Sequence, residues 1–344
     1  MTASENSVIG LAQQTAKGTP NVTDNLFTYF LFTQGGGGPN NVVIPLDQEV
    51  GGGALLRNVV KVGVTSGGQY QMIPRVDSIG HFLAAALGNA AVTGVGPYTH
   101  TFDLGADQFA APYYTVRQSP GMIFGEQLQD CRVNAFALNW RSPDFIRGAC
   151  GIMGGLPAVV SPAAWAPATY LDRSAQFLTP VSTFEVPLAT PIKVLSGSIV
   201  FGLNIPLDEQ WIAGSYSPDA FDINSRSVTV QLVTKIESAS LYQRMAYDPA
   251  SGNAWVVDML REANFLIRFL SDQDAAVATP YSLTIAGNGL SGDNANVVWS
   301  VSPIAMAAGR QLTAVITGSF LASPTADAPI EVTLVNNHVA NYLA

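Results

Sequence analysis

Residues Ser227-Val228-Thr229-Val230-Gln231-Leu232-Val233-Thr234 alternate polar and apolar side chains with a period of two. This pattern belongs to a half-buried strand, because successive side chains of an extended chain point to opposite faces. About 168 residues earlier, Val59 to Thr65 runs in the same way, with Val60, Val62 and Val64 on one face and Val59, Lys61 and Gly63 on the other. The likeness continues on both sides. The first copy reads as strand (Val59 to Thr65), helix (Asp77 to Leu87), strand (Tyr113 to Ser119) and hairpin (Cys131 to Met153). The second reads as strand (Ser227 to Thr234), helix (Asn253 to Leu270), strand (Tyr281 to Ala286) and hairpin (Asn296 to Leu321). Matching strands start at 59 and 227, 113 and 281, and 131 and 296, a spacing close to half of the 344 residues. A tandem duplication of one β-rich module is the simplest reading, and paired modules supply quasi-equivalent blocks to a symmetric assembly.

The expected architecture is mainly β, a sandwich or barrel with one flanking helix per module. In the first helix Asp77 is the expected N-cap, Gly88 the exit, and Ile79, Phe82, Leu83 and Leu87 face inward. In the second, Asn253 caps a run whose Trp255, Val256, Met259, Leu260, Ala263, Leu266, Ile267 and Leu270 follow a helical rhythm. Residues 1–40 read as a polar N-terminal arm ending in a flexible joint, Gln34-Gly35-Gly36-Gly37-Gly38-Pro39. The first module spans 41–160, a Pro- and Ala-rich linker 161–191, the second module 192–337 and a C-terminal arm 338–344. Proline density from Leu156 to Pro191 makes that linker semi-rigid.

Charged residues are 12% of the chain, about half the usual share, and mean hydropathy is +0.23. So little charge points to burial against copies of the same chain. Loop residues Leu55, Leu56, Trp211, Ile212, Tyr216 and Phe221, with the aromatic patch Phe27, Tyr29, Phe30 and Phe32, are the candidate ring-stacking and inter-subunit contacts. A net charge of −9 without a basic cluster argues against a nucleic-acid reader, but suits a wall that DNA passes without sticking. The longest apolar stretches are too short or too interrupted to span a bilayer, and Met1 to Pro20 lacks the form of a secretory signal, so folding in the cytosol is expected.

No catalytic constellation is found. His81, His100 and His338 are scattered without metal-ligand spacing, there is no Gly-x-Ser-x-Gly elbow, and Gly35 to Gly38 lacks the Lys-Ser/Thr of a phosphate loop. No metal or cofactor is expected. Cys131 and Cys150, on the two arms of one hairpin turning at Arg141-Ser142-Pro143-Asp144, are out of register for a disulfide and read as reduced, buried thiols.

Three segments carry a resemblance. Ile9-Gly10-Leu11-Ala12-Gln13-Gln14-Thr15-Ala16-Lys17-Gly18-Thr19-Pro20 is similar to the Glu-Thr-x-x-Gly-Thr opening of siphophage tail tube proteins, with Gln14 at the acid's position. Asp77 to Gly88 followed by Pro97-Tyr98-Thr99-His100-Thr101-Phe102 resembles that family's short helix and following strand. Asp130-Cys131-Arg132-Val133-Asn134-Ala135-Phe136-Ala137-Leu138 resembles its hairpin strand, with Arg132 for Lys. The matches cover about 1–155; the second module matches by architecture, and a doubled subunit of this size resembles that of very long-tailed Thermus siphophages. The resemblance implies barrels joined edge to edge into rings, three duplicated copies making a pseudo-hexamer, and rings stacked into a hollow conduit for DNA ejection. It further implies synthesis and assembly in the bacterial host cytoplasm, a place in the virion, and the tape measure, tail terminator and tail tip proteins as partners. Low charge and tandem modules equally fit a β-sandwich adhesin or another virion surface or fibre protein.

Overall fold

A computed structural model provides the fold and describes residues 7–47, 58–104, 111–162, 165, 175–186, 189–208, 210–237, 239–247, 264–287, 297–304, 306, 309, 311–320 and 330–343. The first half of the chain forms β1 (Val8–Gln13), β2 (Thr28–Tyr29), β3 (Gln34–Pro45), β4 (Val59–Met72), α1 (Ile79–Leu87), β5 (Gly88–Thr93), β6 (Tyr98–Leu104), β7 (Tyr114–Ser119), β8 (Gly125–Arg141), β9 (Arg147–Gly154) and β10 (Pro157–Val160). The second half forms β11 (Phe177–Glu185), β12 (Val194–Gly202), β13 (Ser227–Lys235), α2 (Ala239–Ala246), β14 (Leu266–Ala276), β15 (Thr279–Gly287), β16 (Val297–Val301), β17 (Thr313–Phe320) and β18 (Ile330–Asn336).

Two antiparallel sheets result, and each takes strands from both halves. In the larger, the strands follow one another as β3-β4-β9-β8-β12-β13-β17-β16. The 17-residue β8 is its spine. The C-terminal part of β8 lies between β9 and β12, while its N-terminal part pairs with β7 and β10 and so carries β1 and β2. The smaller sheet runs β11-β14-β15-β18-β6-β5, with β18 from the end of the chain inserted between β15 and β6.

The sheets pack face to face over one continuous apolar core that spans both halves. Alternation drives this: Val228, Val230 and Leu232 of β13 are buried between exposed Thr229 and Gln231. Trp140 of β8 stacks on Phe184 of β11 at 5.8 Å and meets Phe269 of β14 edge-on at 5.1 Å, tying one sheet to the other. Its indole also covers Gly197 across the β8–β12 pair, where a Cβ would come within 2.5 Å of the ring. Helix α1 is almost wholly buried on β8, β6 and β5, with Ile79, Phe82, Leu83 and Leu87 inward as expected. Ser78 rather than Asp77 occupies its N-cap, and Gly88 ends it at φ 82°, a conformation that glycine adopts without strain.

Four local expectations are corrected. Leu266 to Leu270 begin strand β14 instead of ending a helix, because Phe265, Ile267 and Phe269 point inward with period two; an apolar run of that length satisfies both periods. Of the rest of the expected helix, residues 253–263 lie outside the described residues, and Asn264 and Phe265 are not helical. The glycines Gly35 to Gly38 are no hinge but part of β3, where the absent side chains of Gly35 and Gly37 let the backbone sit tightly on β4. Only Thr28 and Tyr29 of the aromatic patch form a ladder. The Pro-rich stretch supplies strands β10 and β11; Pro157 opens the first and Pro180 falls at a register shift of the second, places where a missing N–H is tolerated.

The C-terminal segment folds back on α1. Tyr342 lies against Gly80, accepts a hydrogen bond from Asn336 Nδ2 at 2.8 Å and donates one to the Asp77 carbonyl at 3.2 Å. Its ring centroid lies 4.4, 4.7 and 4.8 Å from those of His338, His100 and His81. His100 Nε2 donates to the His338 carbonyl. Burial lowers the pKa of all three imidazoles, that of His81 to about 3, with the neighbouring His338 adding to the effect.

Two outcomes are expected. Gly197→Ala drives a methyl into Trp140 and the Gln231 carbonyl and lowers stability by about 1–3 kcal/mol in urea unfolding; an unchanged midpoint contradicts this packing. Because the unfolded chain takes up protons near pH 6.5 and the folded histidines do not, stability is complete above that pH and falls as pH drops toward about 3. His81→Leu, which leaves the Asp77 carboxylate and the other imidazoles in place, is expected to shrink the stability difference between pH 7 and pH 5; an equal difference in both proteins contradicts the assignment.

Candidate assembly interface

Both ends of the eight-strand path are sheet edges. Among the described residues β3 pairs only with β4, and β16 only with β17. Neither strand contains a charged residue, the usual guard against edge-to-edge pairing. One point on the β3 edge is occupied from within: the Gln118 carboxamide accepts from the Gly37 N–H at 3.0 Å and donates to the Gly37 carbonyl at 2.6 Å, as a paired strand would. Tyr70 donates to the same Gln118 oxygen at 2.7 Å.

Beyond that cap the β3–β4 hairpin projects from the sheet. Val42, Val43, Ile44 and Leu46 on one arm and Val59, Val60 and Val62 on the other are all exposed, Val43 and Ile44 by 52% and 55%. A hairpin apolar on both faces, with Lys61 as the one charged residue of its two strands, is a contact surface awaiting cover. Sequence alternation did not show it: it placed Val60, Val62 and Val64 on one face, and of the three only Val64 is buried.

The loop between β12 and β13 braces the base of this hairpin. The Val64 N–H donates to the Tyr216 carbonyl at 2.7 Å, and Trp211 covers Gly63, where a Cβ would come within 2.5 Å of the indole. A cleft of about 450 Å³ lies between Val42, Val62 and Gly63 on one side and the Trp211–Ser215 turn on the other. Arg132 fixes the far end of the loop: it donates to the Phe221 carbonyl at 2.7 Å, stands 3.8 Å from Asp222 and stacks on Tyr113. Of the loop's expected contact residues, Ile212 and Tyr216 are exposed, Trp211 is half-buried, and Phe221 is 1% exposed inside the core.

The aromatic patch is corrected in the same way. Phe27 lies under the Arg117 guanidinium at 4.0 Å, Tyr29 covers Gly10, and Phe30 packs on Phe82 at 4.7 Å, all three buried; Phe32 is half-buried beside Tyr70. These side chains bind the N-terminal segment to its own chain, so they leave no free contact area. Arg117 holds that segment further through Asp24 and the Val22 carbonyl. Gln14 and Asp130 exchange hydrogen bonds, Gln14 Nε2 to the carboxylate at 3.1 Å and the Asp130 N–H to Gln14 Oε1 at 2.9 Å. A glutamate at position 14 would face that carboxylate without a proton to donate, which explains glutamine there. Leu55 and Leu56 lie outside the described residues.

Among the described residues no group of His, Cys, Asp and Glu could hold a metal ion. Cys131 and Cys150 are buried free thiols, the second pushed up to about 12 by burial. No helix among the described residues is long and apolar enough to cross a membrane. Among the described residues the surface offers sheet edges and exposed apolar side chains.

A search of curated protein sequences gave no match. Residues 4–295 match the family model described as phage tail tube protein. With most of its length matched, and with a mainly β fold that leaves edges open for self-assembly, the chain belongs to the phage tail tube protein family, as a structural component of the virion.

Proposed function

We propose that the chain is a tandem-duplicated siphophage tail tube subunit, three copies of which close a pseudo-hexameric ring that stacks with others into the conduit for DNA ejection. The observation that carries this is the order of the larger sheet. Its first four strands, β3-β4-β9-β8, and its last four, β12-β13-β17-β16, follow the same plan. In each block the strand before the helix pairs with the strand that opens the block and with the second strand of the late hairpin. Helix α1 packs on β8 and α2 on β16, at equivalent places. On this reading the modules are 41–160 and 192–337, joined by 161–191, which also lends strand β11 to the smaller sheet, while β3, which opens the first block, already begins at Gln34.

The face of the larger sheet turned away from the core suits a DNA conduit. It carries Gln69, Gln71, Asn139, Ser198, Thr229, Gln231, Thr317 and Ser300; the carboxylates of these strands among the described residues, Glu126 and Asp130, lie in the N-terminal part of β8 that pairs with β7 and β10. Its cations Arg141, Arg147 and Lys235 gather at one rim, where Asp144 pairs with Arg147 and Glu237 with Lys235. A polar, nearly neutral wall offers phosphates nothing to bind and nothing to repel. The lumen is then neutral rather than acidic. The tip of the β3–β4 hairpin, at Leu46 and Val59, with Ile212 and Tyr216, is the contact between rings, and the tape measure, tail terminator and tail tip proteins meet the tube in the virion. An adhesin, by contrast, would present its aromatics at one tip, and Phe27, Tyr29, Phe30 and Phe221 are internal.

Negative-stain microscopy of the concentrated protein is expected to show hollow tubes with a regular axial repeat and three chains per ring; compact monomers or lone trimers at all concentrations contradict the reading. Leu46→Asp with Ile212→Asp is expected to leave the circular dichroism spectrum unchanged and shorten or abolish the tubes. Tubes of normal length would remove the hairpin from the ring-to-ring contact.

A further inference from the structure

We infer that the segment after β18, His338 to Leu343, is an acid-released strap: neutral imidazoles hold Tyr342 in a notch on α1, and their protonation lets the segment go. The inference is independent of the ring reading. The chain has three histidines in 344 residues, and the fold gathers all of them around this one phenol. His81 comes from α1, His100 from β6 and His338 from the segment itself. The notch is Gly80, where a Cβ would come within 2.2 Å of the Tyr342 ring, so glycine leaves the space that the ring fills. Outside this plug the segment is lightly held. His100 Nε2 donates to the His338 carbonyl and Asn341 Nδ2 to the Ala90 carbonyl, each at 2.9 Å. The His338 and Leu343 N–H groups turn back on the side chains of Asn336 and Asn341, and Val339 and Ala340 are exposed.

The cluster accommodates neutral rings and resists charged ones. The His338 ring centroid lies 5.9 Å from that of His81 and 5.8 Å from that of His100, so protons taken up here stand as neighbouring like charges where water is largely excluded. The surrounding elements bring little relief. Asp77, before α1, is the carboxylate on this side; burial, and after it Asp77, push the Tyr342 phenol up, so that ring stays neutral throughout. Asp103 of β6 and Glu331 of β18 face the other side of the smaller sheet, and Phe30, Ala90 and Asn336 carry no charge. Burial accordingly lowers all three imidazoles. Once the segment leaves, each returns to an ordinary value of about 6.5. The closed values lie below the open ones, so closure is fully favoured above that pH and loses ground as pH falls. One imidazole that titrates only after release raises the ratio of open to closed about 25-fold between about pH 7 and pH 5. No histidine lies elsewhere in the chain, so the rest of it lacks this coupling.

The test is fluorine NMR of the purified, unassembled chain labelled with 3-fluorotyrosine, titrated from about pH 7 to about pH 5. Of the 11 tyrosine signals, that of Tyr342 is the one missing from Tyr342→Phe, and those of Tyr70 and Tyr114 in the core are assigned in the same way. The Tyr342 signal is expected to move toward the position of tyrosine in an unstructured peptide, or to be joined by a second signal there, while Tyr70 and Tyr114 stay in place. His338→Phe, which keeps a ring on Tyr342 and cannot titrate, and His81→Leu are each expected to weaken the pH dependence, by up to about 25-fold. A Tyr342 signal that holds its place down to about pH 5, or moves only together with Tyr70 and Tyr114, overturns the strap. So does a pH dependence undiminished in both variants. Should either variant fail to fold, the titration of the unmodified chain decides alone, with Tyr70 and Tyr114 as its internal references.

Discussion

The antiparallel ladder between β8 and β12 is the constraint from which the rest of the molecule follows. It joins the two halves of the chain in one sheet, and through Trp140 it also binds that sheet to the other. The close approach of the indole to Gly197 makes this joint dry and tight. Insertion of β18 between β15 and β6 does the same for the smaller sheet. The halves repeat a plan but do not fold as beads on a string. Each lends the other strands, and a single core runs through both.

This arrangement makes the problem of the sheet edge into the means of assembly. An internal joint removes two of the four edges that two separate blocks would expose. The two that remain carry no charge to discourage pairing, and one leads into an apolar hairpin projecting beyond the sheet. Other segments are held within the chain. Gln118 closes part of the β3 edge, Arg117 and the Gln14–Asp130 pair hold the N-terminal segment, and Tyr342 seals the C-terminal one among three histidines.

Strands such as Ser227–Lys235 and the hairpin of Gly125–Arg141 with Arg147–Gly154 were legible because one face is buried and the other wet, so period two shows in the residues. Leu266 to Leu270 misled, because a strand bordered by apolar neighbours carries no polar alternation strong enough to exclude a helix. Glycines and prolines misled for a different reason: Gly35 to Gly38 and Pro180 signal a missing side chain or N–H, and whether that loosens a chain or lets a strand fit is decided by its neighbour. The candidate contacts were half legible. Aromatic character marked Phe27, Phe30 and Phe221, yet large apolar side chains are what a core recruits first, and the core took them. Val60, Val62 and Val64 were read as one face of a strand, and only the projection of the hairpin shows that the first two are exposed.

The most direct measurement of the central claim is a reconstruction of the assembled tube by cryo-electron microscopy, at a resolution that separates strands. The expected cross-section is an unbroken inner sheet to which each chain contributes β3-β4-β9-β8-β12-β13-β17-β16 in that order, with three chains to the ring and the inter-chain joint like the internal one. A ring of six chains, or one in which β3 and β16 remain unpaired while other surfaces meet, would contradict it.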